Sequence, residues 1–291
     1  MKNGFLAESI IAFYRFWHGR CRLKGAGFLL RHASRYVGGL QRFPIRVPGV
    51  GTITVDLRDY AGRLWVQHLI GDRLAAFDLE DSLCRAVANI MKDGEVFWDV
   101  GASVGMVTAA ITRAFPQTQI FAFEPNPFLF QSLEAFFDGH TNIRIFPFAL
   151  SNQDGNVLLT IPKAKSVGAS IRGLDYVLQT SSLTLDDVVQ VEARAVKGDS
   201  LIDGELKVPA PHVLKIDVEG HEVAVLKGLA DTIALHHPII FFEHLYLTDK
   251  EVAELVPPGY SLHSVANDTG TITTGFDRSV GHNSVLLPGN N

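Results

Sequence analysis

A glycine-bearing turn follows an apolar stretch about one third of the way along the chain. Gly101 and Gly105 come directly after residues 96–100, and a helical pattern begins close behind them. Glycine lacks a Cβ, so a ligand can approach backbone that a side chain would block. A helix N-terminus also offers N–H groups and a partial positive charge to a carboxylate or phosphate. We therefore expect a nucleotide-type ligand here, with Gly101, Ser103 and Gly105 around it.

Two carboxylates flank this turn and bear on which ligand fits it. Glu124 follows the apolar segment 121–123, about 20 residues past the turn, where an acid can hold both hydroxyls of a ribose. Asp99 precedes the first glycine, where its charge would repel a pyrophosphate but attract the amino group of a sulfonium-bearing amino acid. The turn alone would also suit a dinucleotide. Asp99 and Glu124 together favour S-adenosylmethionine.

A second group of polar residues ends two later apolar segments. Asp217 and Glu219 are two apart on an extended stretch, so their side chains point the same way. Glu243 and His244 end the next predicted strand, beside the same crevice if the two strands are neighbours. In-line methyl transfer needs an aligned acceptor and removal of its proton. We predict these four as catalytic residues, with Asp217 orienting or deprotonating the acceptor.

Each of these residues also has a structural interpretation. Asp217 could pair with Lys215, and His244 could be an ordinary surface histidine, as could His221. Glu222 suits the first turn of a helix, where the dipole favours an acid. Carboxylates of this group could gather a divalent ion, but no ligand spacing singles out a metal, so we predict none.

The order of apolar segments indicates which elements position these residues. Strand-like and helical patterns alternate through the chain, which is typical of a parallel sheet with helices on both faces. Strand-like segments at the end of the chain close the sheet. The predicted strands are 96–100, 120–123, 143–148, 213–218, 239–242, 261–265, 271–274 and 284–287, and the predicted helices are 81–94, 104–115, 128–137 and 222–235.

Three motifs of the chain resemble the FkbM family of methyltransferases. They are Asp99-Val-Gly-Ala-Ser-Val-Gly105, Phe121-Ala-Phe-Glu-Pro-Asn-Pro127 and, most specifically, Leu214-Lys-Ile-Asp-Val-Glu-Gly-His-Glu222. Weaker matches include Ala149-Leu150-Ser151, and the resemblance spans residues 94–288. The chain departs from the family at Ser103, where Asn is frequent, and at Gly198, where Leu or Val is frequent.

This resemblance implies an α/β, Rossmann-like class I methyltransferase fold with a mostly parallel seven-stranded sheet, helices on both faces and an antiparallel last hairpin. It implies S-adenosylmethionine as cofactor and O-methylation of a hydroxyl on a sugar, glycolipid or secondary metabolite. It adds Pro125, Asn126, Ala149 and Leu150 to the predicted cofactor site. We expect a catalytic domain over 81–291 after an extension over 1–80.

The extension begins with an amphipathic pattern and continues with a predicted β-hairpin over 44–57. Leu6, Ile10, Phe13 and Trp17 share one helical face, and basic residues follow closely. The helix is expected either to dock on the catalytic domain or a partner subunit, or to lie on the inner face of a membrane. Residues 162–190, rich in Ser, Thr and Gly, are predicted to form a loop or lid.

Charge and composition restrict the partners. Residues 1–50 hold nine Lys or Arg against one acid, a net charge of +8. Because the whole chain has a net charge of −5, the remaining residues carry −13. An acidic body argues against nucleic-acid binding. Two distant cysteines and no apolar stretch of about 20 residues are typical of a cytoplasmic protein. An oligomer is left open. The alternative functions are a nicotinamide-dependent oxidoreductase and a non-catalytic S-adenosylmethionine-binding assembly protein.

Overall fold

The computed structural model describes residues 6–13, 26–69, 82–163, 165–181 and 183–289. In these ranges a central sheet of eight strands has the order β12-β11-β13-β10-β9-β3-β4-β5. Neighbours from β10 to β5 pair in parallel, whereas β13 is antiparallel to both β10 and β11. The strands are β3 (Val96–Val100), β4 (Gln119–Phe123), β5 (Ile143–Phe146), β9 (Val213–Ile216), β10 (Ile239–Glu243), β11 (Tyr260–Val265), β12 (Ile272–Thr274) and β13 (Asn283–Pro288).

Helices cover both faces of this sheet because its middle strands are apolar on both sides. Every residue of β3 is buried, with Phe97 in the core on one face and Trp98 in the core on the other. The helices are α4 (Ser82–Ile90), α5 (Met106–Ala114), α6 (Pro127–Phe136), α8 (Ser200–Asp203), α9 (Glu222–Gly228), α10 (Ala230–His236) and α11 (Asp249–Glu254). The predicted α/β class I methyltransferase fold is confirmed.

The sheet differs from the prediction in three details. The resemblance implies seven strands, whereas the sheet has eight, because the predicted strand 271–274 pairs at one edge as the short β12. The predicted strand 143–148 divides at Pro147 into β5 and β6 (Phe148–Ser151), because proline cannot donate to a sheet ladder. The predicted helix 222–235 is two helices, α9 and α10, which meet at Leu229.

A second, three-stranded sheet is formed by the part of the chain between β5 and β9. Its order is β6-β8-β7, with β7 at Gly155–Pro162 and β8 at Val188–Lys197. The prediction of a loop over 162–190 was therefore incomplete: the connection from β7 to β8 contains α7 (Leu174–Ser181) and two 3-10 turns, Ser166–Gly168 and Leu185–Asp187. The apolar positions of β8 alternate with polar ones, because one face of the strand is exposed. The start of this strand was therefore difficult to recognise in a polar part of the sequence.

The N-terminal extension packs on the same core as the main sheet. Helical residues 6–13 (α1), α2 (Ala26–Ser34), the β1–β2 hairpin and α3 (Tyr60–Leu69) precede the first strand of the central sheet. The predicted hairpin is confirmed, with β1 at Phe43–Val47 and β2 at Gly51–Val55. Trp65 and Leu40 join the core that contains Phe97. The proposed boundary at residue 80 and Trp17 lie outside the described residues.

Only part of the predicted apolar stripe of the first helix packs on the core. Ile10 contacts the core beside the buried Ala7 and Ile11, whereas Leu6 and Phe13 are 48% and 63% exposed. Among the described residues, no helix is long and apolar enough to cross a membrane.

Candidate active site

A cavity of about 410 Å³ opens at the carboxyl ends of β3, β4 and β9. This is where ligands bind in open α/β sheets. Its wall combines the turns after these strands with residues of β6 and of the β7–β8 connection. The lining residues used below are Gly101, Ser103, Val107, Glu124, Pro125, Ala149, Leu150, Ser166, Lys215, Asp217, Glu219 and His221.

The turn after β3 is held by the neighbouring strand end. The N–H groups of Gly101 and Ala102 both donate to the carbonyl oxygen of Phe123, at 3.0 Å each. Gly101 has φ of 77°, and a Cβ there would overlap the carbonyl oxygen of Asp217. Glycine at 101 is therefore required by the contact between two backbone turns, a reason that its sequence context did not reveal.

Gly105 acts in helix packing and not at the cavity wall. It is the left-handed N-cap of α5, and a Cβ would press on Leu133 and Phe137 of the neighbouring helix. Ser103, in contrast, lies in the wall and donates its N–H to Glu124. The N–H groups at the start of this turn are thus already bonded within the protein.

Glu124 is fixed by two backbone amides at the cavity. Its Oε2 accepts from the N–H of Ser103 at 2.7 Å, and its Oε1 accepts from the N–H of Asn126 at 2.8 Å. Burial raises the pKa of this carboxyl to about 7, against the opposing effect of the two hydrogen bonds. A carboxylate oxygen has more than one acceptor position, so each can still receive a hydroxyl from a ligand.

The residues after Glu124 position it without all reaching the cavity. Pro125 lines the wall, whereas Asn126 is fully buried and caps α6 by accepting from the N–H of Phe128. The Asn126 side chain also donates to the carbonyl oxygen of Ser166. Ala149 and Leu150 of β6 line the wall, as expected for a cofactor site.

Asp99 does not lie in the cavity wall, contrary to the expectation that it receives the amino group of the cofactor. It is fully buried and directly opposite Lys215 in the β3–β9 register. The Lys215 Nζ is 3.0 Å from Asp99 Oδ1, and Thr108 Oγ1 donates to Asp99 Oδ2 at 2.7 Å. The charge of Asp99 is therefore matched inside the protein, and the same lysine ammonium donates to the carbonyl oxygen of Gly101 at 2.7 Å.

The two acids after β9 both line the cavity. The side chain of Asp217 is 39% exposed, with its Oδ2 3.8 Å from the Lys215 ammonium. Glu219 has φ of 54°, a strained conformation for a residue with a side chain, and its carbonyl oxygen accepts from Ser170 Oγ at 2.9 Å. Burial, followed by the charge of Asp217, raises the pKa of the Glu219 carboxyl to about 7.

Two further glutamates lie close to this turn, one hydrogen-bonded to it and one interacting with its acids through charge. Glu222 starts α9, as its structural interpretation expects, and its Oε1 accepts from the N–H groups of Val218 and Gly220. Glu243 does not line the cavity, but burial and the charges of Asp217 and Glu219 raise its pKa to about 9. Among the described residues, no group of three or more His, Cys, Asp or Glu side chains could hold a metal ion.

His244 is placed away from the cavity, in contrast to the expectation of a catalytic histidine. Its Nε2 is 3.1 Å from the carbonyl oxygen of Gly281, and its Nδ1 is 3.0 Å from Ser284 Oγ. Burial lowers its pKa to about 4. Adjacent residues of an extended chain point to opposite faces, so His244 and Glu243 cannot both face one crevice.

The sequence analysis did not select two polar residues of the wall. His221 lines the cavity, with its Nε2 3.0 Å from Ser151 Oγ, and burial lowers its pKa. Ser166 reaches the wall from the β7–β8 connection. The position of His221 beside Glu219 and Glu222 was a usable signal, whereas Ser166 lies in the Ser-, Thr- and Gly-rich region 162–190, where it was not singled out.

Comparisons with known proteins identify the family of the chain. The family model of the methyltransferase FkbM domain matches residues 99–267, more than half of the chain. The hexuronic acid methyltransferase AglP of Haloferax volcanii is 28% identical over 203 residues, which cover 69% of this chain and 78% of that protein. Methyltransferase 1 of Beauveria bassiana is 26% identical over 182 residues, which cover 59% of this chain and 68% of that protein.

Among solved structures, an FkbM methyltransferase from Methylobacillus flagellatus is similar over 76% of this chain and 54% of that chain. Its identity is 17% and the TM-score is 0.44, so this match adds no argument of its own. The matched family segment includes the β3 turn, Glu124 and both acids after β9. The chain belongs to the FkbM family of methyltransferases.

Proposed function

We propose that this methyltransferase uses S-adenosylmethionine to methylate a hydroxyl of a sugar, glycolipid or secondary metabolite. The observation that carries the proposal is one cavity lined both by Glu124, held for hydroxyl binding, and by Asp217 and Glu219. Its volume of about 410 Å³ is within the usual range of small-molecule sites.

The cavity residues fit this methyl donor by their chemistry. The Glu124 carboxylate presents two oxygens for the ribose hydroxyls, and Leu150 and Val107 offer apolar surface for an adenine ring. The acids after β9 favour a positively charged ligand over a pyrophosphate. When bound, S-adenosylmethionine supplies an electrophilic methyl group on a cationic sulfur.

Glu219 and Asp217 take different roles in this proposal. Glu219 accepts the proton of the acceptor hydroxyl, because a base works best when its pKa is near the working pH. Asp217, exposed at the cavity and near the Lys215 ammonium, accepts a hydrogen bond that orients the acceptor. Glu243 interacts with Asp217 and Glu219 through its charge, and His244 has no role in this proposal.

A sugar acceptor is supported by the printed activity of one relative. AglP is named a hexuronic acid methyltransferase and shares the longest aligned segment among the relatives described above. A hexuronic acid offers both hydroxyl and carboxylate oxygens, and only methylation of a hydroxyl needs the carboxylate base proposed above.

Isothermal titration tests the proposed donor. S-adenosylhomocysteine is expected to bind with one site per chain, whereas NADH is expected to give no heat. A capture assay with a labelled methyl donor and a panel of sugar hydroxyls then identifies the acceptor. Binding of NADH in place of S-adenosylhomocysteine would refute the proposed donor.

A further inference from the structure

A second, larger groove of about 930 Å³ contains a cluster of basic side chains beside the cavity. Arg31 and Arg35 are four residues apart at the end of α2 and line one wall. Lys163 and Lys165, two residues apart after β7, line the wall formed by the β7–β8 connection. Arg58 completes the set that we call the basic groove.

Four aspartates also line the basic groove, so its five basic side chains exceed its acidic ones by one. Asp56 forms a bidentate ion pair with Arg58, with contacts of 2.6 to 3.1 Å. Asp59 Oδ1 accepts from the N–H of Ser166 at 3.1 Å, and Asp187 Oδ2 accepts from the N–H and Oγ1 of Thr184. These neutral donors leave Asp59 and Asp187 charged, as is the exposed Asp186, so an anion is expected to bind at the wall that carries Arg31 and Arg35.

Arg31, in the last turn of α2, and Arg35, directly after that helix, are in contrast available to bind an anion. Within the described ranges, neither Arg31 nor Arg35 makes an ion pair or a side-chain hydrogen bond. A guanidinium group offers a planar set of donors that matches a carboxylate or phosphate. Their side chains therefore present anion-binding chemistry to the groove.

Ser166 joins the basic groove to the cavity. It lines the 410 Å³ cavity, the basic groove and a smaller cavity of about 190 Å³ between them. Ser166 is 7% exposed, and its buried Oγ has no hydrogen-bond partner among the described residues. An unpartnered buried hydroxyl is costly, so a ligand hydroxyl passing this point would satisfy it.

Two more contacts connect the basic groove with the proposed chemistry. Phe128 is 58% exposed and lines both the groove and the smaller cavity, which gives a sugar an apolar surface to pack on. Lys165 is near enough to Glu219 for its charge to lower the pKa of that carboxyl. The groove and the acids after β9 thus act on one another electrostatically.

We infer that the basic groove binds an anionic group, a carboxylate or a phosphate, on a sugar acceptor whose hydroxyl reaches past Ser166 toward Glu219. This inference rests on the proposed methyltransferase function and specifies the acceptor as an acidic sugar. Arg31 and Arg35 hold the anion, Phe128 supports the sugar ring, and Ser166 bonds a hydroxyl at the junction.

The test compares three sugars on the intact chain saturated with S-adenosylhomocysteine. Glucuronic acid, glucose 6-phosphate and glucose are titrated at low ionic strength, and binding is followed by ligand-observed NMR. At least one charged sugar is expected to bind about tenfold or more tightly than glucose, and added salt should weaken that binding. A preference for the carboxylate or for the phosphate identifies which anion the groove takes.

Matched variants separate the groove from general charge effects. The double variant Arg31→Ala/Arg35→Ala should lose the preference for the charged sugar, and Lys163→Ala should weaken it from the other wall. The control Arg42→Ala/Arg46→Ala removes two exposed arginines, also four residues apart, that do not line the groove, and should bind like wild type.

Each outcome bears on one claim. Equal binding of all three sugars to wild type, or no detectable binding of either charged sugar, would overturn the groove inference. An unchanged preference in the Arg31→Ala/Arg35→Ala variant would also overturn it. Failure of S-adenosylhomocysteine to bind would instead reject the proposed function, so the two failures can be told apart.

Discussion

Replacing Glu219 with Gln is expected to lower kcat by about 10² to 10⁴, the usual contribution of a general base. The amide keeps the size of the side chain but cannot accept the hydroxyl proton. The affinity for S-adenosylhomocysteine should remain close to that of wild type, because Glu219 is assigned to the acceptor. Turnover is measured at saturating methyl donor with the acceptor found by the capture assay.

The pH profile gives the Glu219 variant a readout that a purely structural role would not change. A base with pKa of about 7 is active when deprotonated, so the wild-type rate should rise with pH through that value. The Gln variant should lose this rise. The control Glu134→Gln, on the exposed side of α6, should keep both the rate and the profile. Wild-type kcat in Glu219→Gln would remove this residue from the mechanism.

Replacing Glu124 with Gln is expected to weaken S-adenosylhomocysteine binding by about a hundredfold, since hydrogen bonds to a charged group contribute about 1.5 to 3 kcal/mol each. The amide loses the negative charge offered to the ribose hydroxyls. Its NH₂ group also faces one of the two backbone donors, the N–H of Ser103 or of Asn126. Isothermal titration measures the change in Kd.

The substitution Glu124→Gln should also change the pH dependence of S-adenosylhomocysteine binding. Burial raises the pKa of Glu124 to about 7, so the carboxylate is protonated as pH falls below that value and hydroxyl binding weakens. Wild-type affinity should fall between pH 8 and pH 6, and the Gln variant should show less dependence. Thermal unfolding checks that the variant is folded, with Glu134→Gln as control. A Kd within threefold of wild type would contradict the role given to Glu124.

Local patterns were sufficient for the elements that build the cavity. The apolar run through β3 and the acid after β4 could be recognised in the sequence. Parallel strands bring their carboxyl ends to one edge of the sheet, so both were expected at the cavity. Asp217 and Glu219 were predicted as neighbours on an extended segment, and both line the wall. β9 ends at Ile216 and Glu219 has φ of 54°, so the turn after the strand, and not strand periodicity, places them there.

Contacts between distant elements could not be predicted in the same way. The pairing of Asp99 with Lys215 depends on the β3–β9 register, which no local pattern reveals. His244 was misplaced because the face of its strand end is set by the antiparallel contact with β13, where Ser284 lies. Ser166 reaches the wall only because α7 and the neighbouring turns fold between β7 and β8.

A crystal structure of the protein with S-adenosylhomocysteine would show where the methyl donor binds. We expect the ligand in the 410 Å³ cavity, with both ribose hydroxyls within hydrogen-bond distance of the Glu124 carboxylate and the sulfur toward Asp217 and Glu219. A ligand bound elsewhere, or one whose ribose makes no contact with Glu124, would contradict this expectation.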